Sequence, residues 1–398
     1  MLPSYKIPYG NHKLDKKDID KVNKILTSKY LTQGPQVEIF EKKINEFVGS
    51  KFSVATNSAT SALHVSCLAL DLKPGDYLWT VPNSFVASAN CGRYCGAEVD
   101  FVDIDSRSWN LSINKLEKKL KEAKKNNRLP KVIVTVHFAG QPTIQEKIFS
   151  LKKIYKFKII EDASHSIGSS RKENLVGNCK WSDITVFSFH PVKIITTAEG
   201  GIATTNNKNL YQQMKIFREH GITRDQILIS KEKTSPFFKA LGRSPAFEQR
   251  YLGFNYRMNE ISAALGISQL KKISKFVKKR NQLANYYIKN IENKLVSFQL
   301  IDKYNYSSYH IFIIRLNLDK MQKNYSEIFN LFRKLGIGVN LHYLPIHLHP
   351  YYQKLGFKTG DFPESEKYSR EAITIPLYVD LKKNIQDKII DKINKNIC

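Results

Sequence analysis

The chain has 398 residues, long enough for two domains that each bury a core, and no uncharged apolar run approaches the ~20 residues that a membrane helix requires. Its 63 Lys and Arg outweigh 36 Asp and Glu, giving a formal net charge of +27. The lysines are scattered over amphipathic segments such as Leu116 to Lys125 and Leu270 to Lys279, with no charged stripe interleaved with aromatics, so we expect mild attraction of anionic small molecules and no nucleic-acid partner.

Apolar residues at helical spacing (Ile19, Val22, Ile25 and Leu26, then Val37, Phe40, Ile44 and Phe47 after Pro35) predict helices over residues 15–28 and 35–48, on either side of KYLTQGP. Strands and helices then alternate. Strands are expected near Phe52 to Ala55, Tyr77 to Val81, Val99 to Val102, Val132 to Val136 and Lys158 to Ile160. Helices are expected from about Ser58 to Leu70, from Phe85, and near Gln145 to Tyr155. This rhythm predicts an α/β fold with a large, mostly parallel sheet. It weakens after residue 222, and Thr223 to Gln249, punctuated by Pro236, Gly242 and Pro245, reads as a long loop. One long helix from Asn259 to about Glu292 is expected to bridge to a smaller α+β domain. That domain takes strands at His310 to Leu316 and near Val339, and helices at Tyr325 to Lys334 and Lys382 to Asn396. The expected division is residues 1–258, 259–292 and 293–398.

The five cysteines are odd in number, widely spread and free of any C-x-x-C pair, which suits a reducing cytoplasm. No second Cys/His pair follows Cys91 and Cys95 at zinc spacing, so no metal is expected. The N-terminus, MLPSYKIPYG, lacks a basic start followed by an apolar core, and a cytoplasmic protein is expected.

Three motifs, in chain order, carry chemistry. NSATSA, Asn57 to Ala62, stands between a strand and a helix and offers free N–H groups and hydroxyls at a positive helix start; that geometry binds phosphate, and an ordinary N-cap gives the same letters. In FKIIEDASHSIG, Asp162 follows an apolar strand, at the sheet edge where α/β enzymes bind ligands, and a carboxylate there can hold a pyridine nitrogen protonated. His165 is placed to support that contact, although a lone histidine after a strand is more often a hydrogen-bonded structural residue. In DITVFSFHPVKIITTAEGG, Lys193 has Val192, Ile194 and Ile195 as neighbours; desolvation there lowers an amine's pKa and favours imine formation. Ser188 offers a hydroxyl to the same phosphate, and Phe85 in PNSFVAS an aromatic face to a ring. Cup, carboxylate and lysine together make up a pyridoxal-phosphate site. His342, His347 and His349 lie in LHYLPIHLHPYY, where Pro345 and Pro350 break any regular helix, so they are read as shaping a substrate cleft.

These motifs resemble the nucleotide-sugar aminotransferases of pyridoxal-phosphate fold type I. The likeness runs from IPYG and KYLTQGP through NSATSAL, PNSFVAS, EDASHSIGS and FSFHPVKIITTAEGG to LGFNYRMNEISAALG and YHIFIIRL. Within the family it points to the branch that aminates C4 of a UDP-linked 4-keto-6-deoxy-N-acetylhexosamine in pseudaminic acid formation. The resemblance implies that Lys193 is the Schiff-base lysine, that Asp162 pairs with the pyridine nitrogen and that His165 supports the ring. It further implies that Ala59, Thr60 and Ser188 hold the phosphate, that Phe85 stacks on the ring, and that Asn255 reaches the phosphate of a neighbouring subunit in a homodimer. Tyr9, the segment Lys29, Tyr30, Leu31 and Thr32, and the run His310, Ile311, Phe312 and Ile313 match positions that contact the nucleotide sugar; Ala59, Ser188 and Asn255 are implied at that contact too. L-glutamate is the implied amino donor, leaving 2-oxoglutarate and pyridoxamine phosphate. Other UDP- or dTDP-keto sugars are alternative substrates. A pyridoxal-phosphate sugar dehydratase of the same fold would carry histidine where this chain has Lys193.

Overall fold

The computed structural model describes residues 6–224 and 247–396. Nine strands lead up to residue 205: β1 Phe52–Thr56, β2 Tyr77–Thr80, β3 Glu98–Phe101, β4 Val132–Val136, β5 Lys158–Asp162, a hairpin of β6 Ser170–Arg171 and β7 Asn174–Leu175, β8 Ile184–Ser188 and β9 Gly201–Thr205. Seven form one sheet in the order β1-β9-β8-β5-β4-β2-β3. Neighbours from β8 to β3 are parallel, and β9 alone runs against both of its neighbours.

Helices cover both faces, which is why β4, β8 and β9 are buried along their whole length and read as unbroken apolar or small-residue runs. Alternate residues divide between the two sides. Leu78, Val132, Val134, Ile160 and Val186 pack with Leu63, Cys67, Cys91 and Met214 from the helices Ala59–Ala69, Ala87–Tyr94 and Lys208–Arg218. Trp79, Ile133 and Ile159 face Leu116, Leu120 and Ile148 from Ile113–Lys125 and Gln145–Tyr155. Phe187 and Ile202 face Phe40, Ile44, Ala263 and Ile267 from Pro35–Val48 and Glu260–Leu270.

A buried ion pair ties the edge strand to its helices. Glu41 Oε1 accepts from the Arg218 guanidinium at 2.9 Å and from the Ala55 N–H at 2.7 Å. Both side chains are enclosed, so Arg218→Ala leaves a buried carboxylate without its partner. We expect a loss of about 3–5 kcal/mol, read by urea unfolding, while Lys42→Ala, which removes an exposed partner of Glu46, changes stability by less than about 0.5 kcal/mol.

The long helix expected from Asn259 is two helices. Glu260–Leu270 ends in a turn at Lys271 and Lys272, where the Lys272 N–H bonds the Gln269 carbonyl at 2.9 Å and its ammonium is held by Asp15 at 2.7 Å and Asp18 at 2.6 Å. The second helix, Ile273–Asn290, contributes to two hydrophobic clusters. Ile273, Phe276 and Val277 pack with the large sheet's cluster, and Leu283, Ala284 and Tyr287 pack in a separate core with Ile314, Ile328, Phe332, Ile389 and Ile393. That second core lies against an antiparallel sheet of Val296–Ser297, Phe312–Leu316 and Ala372–Ile375. In place of the strand expected near Val339 there are two isolated bridges, Ile7 with Ile337 and Asn340 with Thr374. Most of the loop expected over Thr223 to Gln249 lies outside the described residues; at its ends Ile222–Thr223 pairs antiparallel with Glu248–Gln249.

Candidate active site

The C-terminal ends of β1, β5 and β8, with the turns that follow them, open into a cavity of about 360 Å³. Tyr9 and, from the C-terminal part of the chain, His310, Asn340, His342 and Tyr343 close its other side.

Lys193 stands in the loop that joins the antiparallel neighbours β8 and β9. The segment is pinned on both sides: the Thr197 N–H and the Thr196 hydroxyl donate to the Phe189 carbonyl at 3.0 and 2.9 Å, and Ile194 and Ile195 are buried beside Phe40 and Phe189. The amine therefore has a fixed stem and lines the cavity with Asp162. Burial pulls its pKa down to about 8, against the opposing pull of the Asp162 charge.

Asp162 ends β5. Its Oδ2 accepts from the Ser88 hydroxyl at 2.6 Å, and its Oδ1 accepts from the Ser164 hydroxyl at 2.5 Å and the Ser164 N–H at 3.1 Å.

On the other side, Ser58 caps the helix Ala59–Ala69 by accepting from the Ser61 N–H at 3.1 Å. The N–H groups of Ala59 and Thr60, in the first turn, have no intrahelical acceptor and stand at the cavity with Ser188. Gly201 backs this turn. A Cβ there would run into the Ala59 nitrogen and the Ser58 carbonyl, so the close approach of β9 to the helix start requires glycine. Gly201→Ala should push the cup out of shape and raise the dissociation constant for pyridoxal phosphate by about tenfold or more, measured by equilibrium dialysis.

The histidines of the cavity are neutral. His165 Nδ1 accepts from the Ala139 N–H at 3.3 Å, which places the ring proton on Nε2, 3.1 Å from the Tyr343 hydroxyl. Burial and the nearby Lys193 charge hold His165 well below the ordinary histidine range. Burial does the same to His310, whose Nδ1 has no hydrogen-bond partner among the described residues, and brings His342 to about 3. His342 Nδ1 meets the Thr374 hydroxyl at 2.8 Å.

Of the residues singled out in the sequence, Tyr9, Ala59, Thr60, Phe85, Asp162, His165, Ser188, Lys193 and His310 line this one cavity. Phe85 remains 58% exposed, its ring 6.2 Å from that of Tyr343. Others do not reach the cavity: Asn255 is exposed beyond it, bridged to Glu219, and the run His310 to Ile313 contributes only His310. Ile311, Phe312 and Ile313 are core residues, because the strand begins at Phe312 and is covered on both faces. Lys29, Tyr30, Leu31 and Thr32 are exposed outside it, with the Leu31 carbonyl accepting from the Glu260 N–H at 3.0 Å. The histidines of LHYLPIHLHPYY separate: His342 lines the cavity, while His347 is buried against Glu366 at 3.0 Å. Ser84, Ser164, Asn340 and Tyr343 line it without having been singled out. Among the described residues, no three His, Cys, Asp or Glu side chains are placed to hold a metal ion.

Pyridoxal phosphate suits this donor set. The cavity offers a poised amine, a carboxylate held by three donors, unpaired N–H groups at a helix start and a wall of uncharged rings. A parallel-sheet fold with these groups at its C-terminal edge defines a pyridoxal-phosphate-dependent aminotransferase of fold type I. Similarity to known proteins makes the assignment closer. Residues 12–394 match the DegT/DnrJ/EryC1/StrS aminotransferase family, and the chain belongs to that family of pyridoxal-phosphate-dependent sugar aminotransferases. It is 35% identical to a UDP-4-amino-4,6-dideoxy-N-acetyl-beta-L-altrosamine transaminase of Campylobacter jejuni, over 98% of this chain and 100% of that one. It is 30% identical to the spore coat polysaccharide biosynthesis protein SpsC of Bacillus subtilis, over 97% of this chain and 96% of that one. Among solved structures it resembles PseC of Helicobacter pylori, described as an aminotransferase involved in the biosynthesis of pseudoaminic acid, with a TM-score of 0.85 and 32% identity over 98% of this chain and 99% of that one.

Proposed function

We propose that this enzyme transfers an amino group from L-glutamate to C4 of a UDP-linked 4-keto-6-deoxy-N-acetylhexosamine. The product is then UDP-4-amino-4,6-dideoxy-N-acetyl-β-L-altrosamine, on the route to pseudaminic acid. The observation that carries the reading is the end-to-end similarity to transaminases named for that product, at 35% identity with no large segment unmatched on either side.

Bound pyridoxal phosphate supplies the carbonyl that receives and passes on the amino group, and a ring that draws electrons from the reacting carbon. The residues divide the remaining work. The Lys193 amine holds and returns the proton that leaves the substrate carbon, acting as base and then as acid. Asp162 holds the pyridine nitrogen, Ala59, Thr60 and Ser188 the phosphate, and Phe85 and His165 the ring. The neutral His165, His310 and His342, with Tyr9 and Tyr343, present uncharged donors and acceptors, which suits a hydroxyl- and amide-bearing sugar ring. Asn255, exposed and outside its own cavity, would serve the phosphate of a neighbouring subunit in a homodimer, and the segment Lys29 to Thr32 would meet the nucleotide sugar there. The cytoplasm, where sugar nucleotides and glutamate occur together, is the proposed location.

The depressed Lys193 pKa has a kinetic consequence. Only the neutral amine attacks the cofactor's carbonyl, so reconstitution of the apoenzyme should speed up about tenfold per pH unit below 8 and level off above it. A rate that keeps rising to pH 10 would mean that Lys193 is solvated.

A visible-absorption titration of the holoenzyme with UDP- and dTDP-linked 4-amino and 3-amino sugars tests the substrate. Bleaching of the cofactor band only by UDP-4-amino-4,6-dideoxy-N-acetyl-β-L-altrosamine supports the proposal. Bleaching by another amino sugar keeps the enzyme class and replaces the substrate.

A further inference from the structure

Among the described residues, no cation is bonded to the Asp162 carboxylate. Its orientation is set by hydroxyl and amide donors. A carboxylate offers about four acceptor sites, two on each oxygen. Ser164 fills both on Oδ1, through its hydroxyl at 2.5 Å and its N–H at 3.1 Å. Ser88 fills one on Oδ2 at 2.6 Å. The remaining site is on the oxygen that Ser88 touches, and Asp162 lines the cavity.

Ser88 has one hydroxyl proton, and Asp162 takes it. The 2.7 Å contact between Ser84 and Ser88 therefore runs one way, with Ser84 donating. The two serines are four residues apart where PNSFVAS enters the helix Ala87–Tyr94, and both are buried, Ser88 completely. The result is a directed chain, Ser84 to Ser88 to Asp162, that starts at the cavity wall beside Phe85.

We propose that Ser88 is a positioning residue for transamination, with Ser84 orienting it: its hydroxyl fixes the Asp162 carboxylate so that one Oδ2 site stays aimed at the cofactor's pyridine nitrogen. This rests on the proposed cofactor role of Asp162. Without the Ser88 hydroxyl, the carboxylate is held only through Oδ1 and is free to turn about its Cβ–Cγ bond. The pyridine nitrogen then loses its fixed partner, while the phosphate cup and Lys193 are untouched.

The test is 15N NMR of holoenzyme loaded with pyridine-15N pyridoxal phosphate, together with steady-state kinetics, for wild type, Ser88→Ala, Ser88→Thr and Ser84→Ala. In Ser88→Ala the 15N resonance should move toward the unprotonated position. Its kcat should fall by about tenfold to a hundredfold, the scale of one lost hydrogen bond to a charged group, with the sugar KM within about twofold. Ser88→Thr, which keeps the hydroxyl, should restore both readouts. Ser84→Ala should shift them in the same direction by less, and it carries the test if Ser88→Ala does not fold. A wild-type resonance and kcat in Ser88→Ala overturn the proposal. Equal losses in Ser88→Ala and Ser88→Thr also overturn it, since packing and not the hydroxyl would then matter. A wild-type protein that takes up no cofactor defeats the functional reading itself, and that outcome is seen before any variant is made.

Discussion

Lys193→Arg should bind pyridoxal phosphate weakly and show no measurable turnover, a loss of at least about 10⁴-fold on the scale of removing a catalytic nucleophile and base. Arginine keeps the positive charge but does not release its proton in a protein, so it can neither form an imine nor accept a proton from carbon. The environment of Lys193 makes the argument sharper than for a surface lysine. Burial has brought this amine to about 8, within reach of neutral pH, and its stem is fixed by the hydrogen bonds of Thr196 and Thr197 to Phe189. Single-turnover absorption with glutamate, and mass analysis after borohydride reduction, check it. Appreciable turnover in the variant, or a cofactor tag on another lysine, would sink the mechanism.

Asp162→Asn should lower kcat by about 10²–10³-fold, comparable to removing one preorganised electrostatic partner of a transition state. The substitution keeps the shape and reverses part of the chemistry. Ser88 and the Ser164 hydroxyl and N–H all donate to this side chain, to both of its oxygens. An amide has one oxygen, so at least one of these donors faces an N–H₂ group. On the proposed role of Asp162, the cofactor's pyridine nitrogen would lose its negative partner as well. Rates close to wild type in Asp162→Asn would show that the ring nitrogen is held by something else.

The large sheet was legible because its strands are continuous apolar runs separated by helices of ordinary length. The three chemical motifs were legible because they sit at the ends of those strands. The run Gly201 to Thr205 was harder, because GIATT is short and small and its role depends on lying between β1 and β8, strands distant in sequence. The break at Lys271 and Lys272 leaves no mark in helical periodicity; the ion pairs with Asp15 and Asp18 come from a helix some 250 residues earlier. Ser88 illustrates the same limit at the site. Nothing in PNSFVAS distinguishes it from a small helix residue, and only the way Ala87–Tyr94 packs on the sheet brings its hydroxyl to Asp162. Of His310 to Ile313 only His310 lines the cavity, for a simpler reason: from Phe312 the chain is a strand covered on both faces.

The walls of the cavity come from Tyr9 at one end of the chain and Asn340, His342 and Tyr343 toward the other. On the ribosome, the cup, carboxylate and lysine are all synthesised before that last wall exists. A chain ending after β9 would lack Asn340, His342 and Tyr343 and admit water on that side of the cavity, which should shift the Lys193 amine toward the ordinary lysine range. We expect such a chain to take up the cofactor more slowly at neutral pH than the complete one.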